Sequence, residues 1–125
     1  MATILVVDDD YLVRNLLSEV LTDNKYNILE ASDGLEALDA INPHCPPDLI
    51  FMDHQMPRLS GIDCARRIKT LYPFLKIILI SGSVSIDEDG YLAANKELFA
   101  DIILKPFRIK DVVSAVEYAL RCKQK

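Results

Sequence analysis

The segment that decides the fold spans residues 49–57 and reads LIFMDHQMP. Four apolar residues end abruptly at the carboxylate of Asp53, and charged or turn-forming residues bound the run. This pattern predicts a short strand that is buried on both faces and has Asp53 at its carboxyl end. In open α/β sheets, ligands bind at that edge. Asp53 is therefore either a turn residue or part of a functional site, and the other strands decide between the two.

The length and charge of the chain limit the classes of protein to which it can belong. Its 125 residues suit a single domain, residues 1–125, and are enough to bury a core without metal or disulfides. The composition, 50% hydrophobic and 26% charged, is that of an ordinary globular domain. The formal net charge of -5 argues against direct binding of nucleic acid, which needs a basic surface.

The cysteines and the N-terminus indicate a cellular compartment. Cys45, Cys64 and Cys122 cannot all pair and form no C-x-x-C motif, so free thiols in a reducing compartment are the simplest interpretation. The apolar run at residues 4–7 is too short for a signal peptide or a membrane span. We therefore expect a cytoplasmic protein with no membrane partner.

Short apolar strands alternate with amphipathic helices along the chain. Further strands are predicted at residues 3–7, 27–31, 76–81 and 101–105. Helices are predicted around residues 13–21, 62–71, 91–98 and 109–120, with a shorter one between a capping box at Asp33 and Glu36 and the break at Pro43. The alternation predicts an α/β fold with a parallel sheet and right-handed crossovers.

Polar side chains follow four of the predicted strands at the points where they end. They are Asp8 and Asp9 after the first strand, Asp53 on the third, Ser81 on the fourth and Lys105 on the fifth. The carboxyl ends of parallel strands share one edge of the sheet, so these side chains are expected to converge. Each taken singly has an ordinary explanation as a cap, a turn residue or a solvated cation. Their convergence favours a functional site.

The chemistry of this set favours phosphoryl transfer. Three crowded carboxylates raise one another's proton affinity unless a cation neutralises them. Mg²⁺ prefers such hard oxygen ligands and retains several waters. Lys105 and Ser81 offer an ammonium and a hydroxyl to phosphoryl oxygens. The residues therefore predict a Mg²⁺ site suited to transfer of a phosphoryl group onto an aspartate.

Three further residues, Asp10, His54 and Cys64, are expected to have structural roles and not to take part in the site. Asp10 is predicted to start a helix, where its charge is favourable, in preference to binding metal. Strand alternation turns His54 away from Asp53, so we expect it to face solvent or pack in the loop. Cys64 is expected to be a packing residue and not a reactive thiol.

The chain resembles the receiver domain of two-component response regulators, with a chemotaxis-regulator-like pattern. Five segments match in the family's order and spacing: residues 4–10 (ILVVDDD), 31–38 (ASDGLEAL), 48–57 (DLIFMDHQMP) followed by Gly61, 80–82 (ISG) and 104–107 (LKPF). An isolated Asp-Asp pair would be weak evidence, whereas five matches in register are specific and span nearly the whole chain.

The resemblance implies a flavodoxin-like fold, with a five-stranded parallel sheet in the order 2-1-3-4-5 and five helices on both faces. It implies that Asp53 accepts a phosphoryl group from a histidine kinase or a phosphotransfer protein in the presence of Mg²⁺. Phosphorylation would change the surface around strands four and five and the helix between them, to control a partner or an output domain. The domain would be a signalling module and not an enzyme.

The resemblance also assigns individual roles. Asp9 and Asp53 would bind Mg²⁺ directly, Asp8 would act through water, and the backbone carbonyl of Gln55 would be a further ligand. Ser81 would be the switch hydroxyl. Lys105 would contact the phosphate, and its bond to the following proline is expected to be cis.

Two other functions stay open at this point. A Mg²⁺-dependent phosphatase with an aspartyl-phosphate nucleophile would use the same carboxylates, but such enzymes usually carry a general acid where this chain has Gln55. The other is a degenerate receiver that acts without phosphate, and the complete acidic set counts against it. The sequence leaves undecided the cognate kinase, the phosphoryl lifetime, dimerisation on phosphorylation and an output domain after residue 125.

Ile102 departs from the family pattern, which often has an aromatic switch residue at this position. An isoleucine has no ring to rotate inward. We therefore expect the switching surface to respond through a backbone shift and through packing of the helix between strands four and five.

Overall fold

A computed structural model describes residues 2–82 and 95–121 of the chain. Its strands are β1 (Thr3–Val7), β2 (Asn27–Ala31), β3 (Leu49–Asp53), β4 (Lys76–Ser81) and β5 (Asp101–Leu104). Its α-helices are α1 (Tyr11–Asp23), α2 (Gly34–Ala40), α3 (Gly61–Leu71) and α4 (Ile109–Arg121). The helix predicted at residues 91–98 lies mostly outside the described residues, which show a 3₁₀ turn at Lys96–Leu98.

The five strands form one parallel sheet in the order β2-β1-β3-β4-β5. This confirms the predicted topology. The predicted strand bounds also hold, except that β5 ends at Leu104, one residue before Lys105. β3 lies in the centre of the sheet and is buried along its whole length, as its unbroken apolar run predicts.

Successive residues of the central strands pack on opposite faces of the sheet. Ile4, Val6 and Phe51 join the inner sides of α1 and α4 in one core cluster. On the other face, residues such as Ile50 and Met52 pack against α2 and α3 in a second cluster. The sheet is therefore covered on both faces, as in a doubly wound fold.

The apolar stripes of two helices are narrower than the sequence pattern indicates. In α1, Leu17 and Leu21 are buried, whereas Leu16 is 41% exposed. In α4, Val112 and Val116 are buried and Ile109 is 53% exposed. One helix packing on a flat sheet buries only the side chains that point at it, so the flanking positions of the stripe face water. Among the helices of the described ranges, none is long and apolar enough to cross a bilayer.

Side-chain caps fix where the helices begin. Asp10 accepts a hydrogen bond from the backbone N–H of Leu12, which confirms its predicted place at a helix start. Asp33 accepts from the N–H of Glu36 at the start of α2. The Glu36 carboxylate reaches back to the N–H and hydroxyl of Ser32, one residue before the expected partner of the capping box.

Cys64 is a packing residue, as predicted. It lies buried in α3, its Sγ is 3.4 Å from the Gly34 carbonyl oxygen, and burial raises the pKa of its thiol to about 12. Cys45 is exposed.

In the native protein, iodoacetamide is expected to modify Cys45 more than about tenfold faster than Cys64, because the thiolate is the reactive form. Peptide mapping by mass spectrometry over time measures both rates, and equal rates in the folded protein would contradict the burial of Cys64.

Candidate functional site

The strand ends bring the predicted polar residues to one edge of the sheet. Asp8 and Asp9 follow β1, Asp53 is the last residue of β3, and Ser81 is the last residue of β4. Lys105 follows β5. The strands are parallel and in register, so the backbone alone delivers all five residues to the carboxyl edge.

Asp53 lies beside a cation and two other acids. The Lys105 ammonium donates a hydrogen bond to Asp53 Oδ1 over 3.0 Å, and the same nitrogen is 3.7 Å from Asp8 Oδ2. One carboxylate oxygen each from Asp8, Asp9 and Asp53 lie within 4.8 Å of one another. The ammonium contacts two members of a cluster of three carboxylates, and its single positive charge cannot neutralise all three.

Burial intensifies this imbalance of charge. Asp8 is 1% exposed and Asp53 is 6% exposed. Burial raises the pKa of Asp8 from 3.8 to about 6, and the charges of Asp53 and Asp9 add to the rise. Burial also raises the pKa of Asp53, against the opposing hydrogen bond from Lys105. Burial lowers the pKa of the Lys105 ammonium, but its contacts with Asp53 and Asp8 outweigh this and leave that pKa raised.

Asp8 is held through its backbone and one of its two carboxylate oxygens. Its N–H donates to the Ala31 carbonyl over 3.2 Å, and its Oδ1 accepts from the N–H of Asp10 over 2.8 Å. Its Oδ2 is buried and accepts no hydrogen bond from the described residues. The Oδ2 atom is therefore a candidate metal ligand that receives no hydrogen bond from the described residues, and it lies next to two further carboxylates.

Arg14 supports the acidic loop of the candidate site, a role that the sequence pattern does not indicate. Its Nη1 donates to the Asp8 carbonyl over 2.7 Å, and its Nε donates to Glu30 Oε1 over 3.1 Å. These contacts tie the acidic loop after β1 to α1 and to the end of β2. The one available signal was that Arg14 is the sole cation in the sequence of α1.

Ser81 and Lys105 are joined at the ends of β4 and β5. The Lys105 N–H donates to the Ser81 carbonyl over 2.7 Å, one step beyond the last paired residues of the two strands. The Ser81 side chain is fully buried. The bond between Lys105 and Pro106 is cis, which confirms that prediction.

The loop after Asp53 is closed at its base. The His54 N–H donates to the Ile80 carbonyl over 2.9 Å, and the Gly61 N–H donates to the His54 carbonyl over 2.8 Å. Gln55 is exposed in this loop, and His54 is half-buried, consistent with packing in the loop. The position of Gln55 two residues beyond Asp53 agrees with the sequence interpretation, and its role as a carbonyl ligand stays a prediction.

The donor set fits a hard divalent cation. All the candidate ligands are oxygens, three are carboxylates within reach of one another, and one buried oxygen has no donor. Such sets favour Mg²⁺ over softer ions, because Mg²⁺ binds through one or two carboxylates and keeps several waters.

Comparison with known proteins gives relatives over the whole length of the fold. The family model for the response regulator receiver domain matches residues 4–117. Sporulation initiation phosphotransferase F of Bacillus subtilis (strain 168) is 34% identical over 121 residues, covering 96% of this chain and 94% of that protein. Response regulator MprA of Mycobacterium sp. (strain KMS) is 36% identical over 119 residues, or 94% of this chain, and the chain spans half (50%) of MprA.

Solved structures agree with these sequence relatives. The receiver domain of NtrX from Brucella abortus superposes with a TM-score of 0.86 at 32% identity, covering 96% of this chain and 99% of that one. TrrA from Thermotoga maritima, solved in complex with Mg²⁺ and BeF, has a TM-score of 0.84 at 31% identity, with coverage of 96% and 100%. None of these relatives is named as a chemotaxis regulator, so that finer resemblance stays a prediction. The fold, the acidic edge and these relatives together establish that the chain belongs to the response regulator receiver domain family of two-component systems.

Proposed function

We propose that Asp53 is the phosphoacceptor of this receiver domain. The observation that carries the proposal is the position of its carboxylate, 3.0 Å from the Lys105 ammonium and among the acidic side chains of Asp8 and Asp9. A phosphoryl group on Asp53 would meet a cation on one side and metal-binding oxygens on the other.

Asp9 and Asp53 would hold Mg²⁺ directly, with Asp8 through water and with the backbone carbonyl of Gln55. When bound, the ion supplies positive charge that keeps the carboxylates ionised and stabilises negative charge on the transferring phosphoryl group. The TrrA structure, at 31% identity, is a complex with Mg²⁺ and BeF, which supports the choice of this ion.

In the proposed reaction, a carboxylate oxygen of Asp53 attacks the phosphorus of a phosphohistidine donor. A P–O bond forms, the P–N bond breaks, and the donor imidazole leaves with the electron pair. The Lys105 ammonium moves from the carboxylate to a phosphoryl oxygen, and the Ser81 hydroxyl donates to another. A shift of Ser81 would pass through its hydrogen-bonded neighbour Lys105 to β5 and the surface around Ile102.

The donor is a histidine kinase or a phosphotransfer protein, and the output is a partner protein or a fused domain. The chain spans 50% of MprA and 94% of the sporulation phosphotransferase, so relatives of both lengths exist. We also propose a cytoplasmic location, supported by the free thiols of Cys45 and Cys64.

Incubation with acetyl phosphate and Mg²⁺, followed by intact-mass measurement, tests the phosphoacceptor. We expect one phosphoryl adduct that requires Mg²⁺ and is absent from Asp53→Asn. Asp39→Asn is the matched control, because Asp39 is an exposed acid on α2, and it should keep the adduct. Steady turnover of a phosphomonoester without an adduct would favour the phosphatase alternative. Absence of both the adduct and Mg²⁺ binding would favour the degenerate receiver.

A further inference from the structure

The loop that follows Asp53, residues 54–60, contains a strained turn. Arg58 has φ 69°, a left-handed conformation that favours glycine or asparagine. The Leu59 N–H donates to the Pro57 carbonyl over 2.8 Å, two residues back. A three-residue turn with positive φ at its centre is a γ-turn of the uncommon, strained kind. A glycine would form this turn without strain, but the chain has a long cationic side chain at this position.

The Arg58 side chain reaches across to the other side of the site. Its Nη2 lies 2.6 Å from Asp33 Oδ2, as an ion pair and a hydrogen bond. Asp33 uses its other oxygen to cap α2 through the N–H of Glu36. These contacts hold the pKa of the Asp33 carboxyl below its usual value, and the hydrogen bond from the Glu36 N–H is the largest cause. Asp33 therefore stays charged at neutral pH and is a fixed anchor for the guanidinium.

The Asp33 anchor is itself connected to the acidic loop. Two residues before it, the Ala31 carbonyl accepts from the N–H of Asp8. On the other side, a Cβ at Gly34 would lie 3.0 Å from Leu59 Cβ, so the start of α2 and the loop are in close contact. The start of α2 thus lies between the loop that carries Asp8 and the loop that carries Gln55.

Stability alone does not explain this arrangement. The Asp33 side chain is only 13% exposed, but that of Arg58 is 58% exposed, and an ion pair whose cation lies in water contributes little to folding. The positive φ opposes folding for any residue with a Cβ. The net contribution of Arg58 to stability is therefore small, and the ion pair's consequence is the position of the loop.

We propose that Arg58 is a positioning residue, whose ion pair with Asp33 holds loop 54–60 so that the Gln55 carbonyl and Asp53 face the metal site together. This inference rests on the proposed function, because it assigns the loop a role in Mg²⁺ binding. Residues that orient metal ligands from outside the ligand set commonly affect affinity without touching the ion.

Two variants remove the ion pair in different ways. Arg58→Gly removes the guanidinium and also the strain of positive φ, so the Mg²⁺-free protein should unfold at the same temperature or a higher one. Asp33→Asn removes the charge but changes no backbone and keeps a good cap on α2. A loss of Mg²⁺ affinity common to both variants therefore reports the ion pair and neither the flexibility of glycine nor the cap.

Isothermal titration calorimetry with MgCl₂ and thermal unfolding in EDTA are measured on the wild type, both single variants and the double variant. We expect each single variant to bind Mg²⁺ about tenfold more weakly, and the double variant to bind no more weakly than either. Arg66→Ala is the control, because it removes an exposed ion pair with Asp63 on α3 and should leave the affinity unchanged.

Other outcomes overturn the inference in distinguishable ways. Wild-type affinity in both single variants would remove the positioning role while leaving the proposed function intact. If the losses of Mg²⁺ affinity in the two single variants add up in the double variant, the two side chains act separately, which would contradict a role for their ion pair. A wild-type protein that neither binds Mg²⁺ nor forms the Asp53 adduct would overturn the proposed function and this inference with it.

Discussion

Gly61→Ala is expected to lower the free energy of unfolding by about 3 kcal/mol, the upper part of the range for steric overpacking. A Cβ at Gly61 would lie 2.4 Å from the Asp53 carbonyl oxygen and 2.9 Å from His54 Cα. Both atoms are backbone, so no side-chain rotation relieves the clash. Alanine's better helix propensity recovers about 1 kcal/mol at most, which is too little to offset it.

The same substitution should disturb the site as well as the fold. The clashing oxygen belongs to Asp53, so the start of α3 can move away only by shifting the end of β3 or the loop. Urea unfolding at pH 7.5 measures the stability, and Mg²⁺ titration of the folded fraction measures the site. Gly82→Ala is the matched control, because among the described residues a Cβ there meets only Lys105 Cδ, at 3.9 Å, and its free energy of unfolding should stay within about 0.5 kcal/mol of wild type. Equal stability of the two variants would contradict the close approach of α3 to Asp53.

The sequence was sufficient to predict the sheet and most of its bounds. The apolar run at β3 and the β-branched run at β1 have no polar residue to break the pattern, and both strands form as predicted. Helix faces were less predictable. Leu16 and Leu17 are equally apolar, and only the angle at which α1 packs on the sheet decides that Leu17 is buried and Leu16 is exposed.

The site was predictable where the backbone alone determines it. Parallel register places Asp53, Ser81 and Lys105 at strand ends, so their convergence follows from knowing the strands. Arg14 and Arg58 were not predictable in this way. Each lies in a helix or loop and reaches its partner through a long side chain, and the positive φ of Arg58 has no signal in its residue type. Gly61 matched the family pattern, but only the structure shows which atoms exclude a side chain there.

Asp8→Asn is expected to stabilise the Mg²⁺-free protein by about 2 kcal/mol at pH 7.5. The pKa of Asp8 rises from 3.8 to about 6 on folding, which corresponds to about 3 kcal/mol of unfavourable interaction once the group is ionised. Asparagine keeps an oxygen to accept from the Asp10 N–H but forfeits the attraction to Lys105, so part of the gain is lost. In saturating Mg²⁺ the difference should shrink or reverse, because bound ligand stabilises the wild type more than the variant.

The raised pKa of Asp8 also predicts how the free energy of unfolding changes with pH. The pKa of Asp8 is higher in the folded protein than in the unfolded chain. The ionised Asp8 carboxylate therefore destabilises the fold to its full extent above about pH 6, and this destabilisation is lost as the pH falls toward 3.8. In EDTA, the unfolding free energy of the wild type should therefore rise between pH 7.5 and pH 5, and that of Asp8→Asn should rise less. Asp33 has a lowered pKa, so its contribution to stability is lost only below about pH 4, outside this window.

Asp10→Asn separates burial from net charge in the same loop. Asp10 is exposed and caps α1, and asparagine caps a helix equally well, so this variant should stay within about 0.5 kcal/mol of wild type. If Asp8→Asn were no more stable than Asp10→Asn in EDTA, the buried carboxylate would impose no cost on the fold. A gain confined to Asp8→Asn would instead show that the buried Asp8 carboxylate opposes folding of the metal-free domain, so a cation bound to this carboxylate is expected to stabilise the folded form.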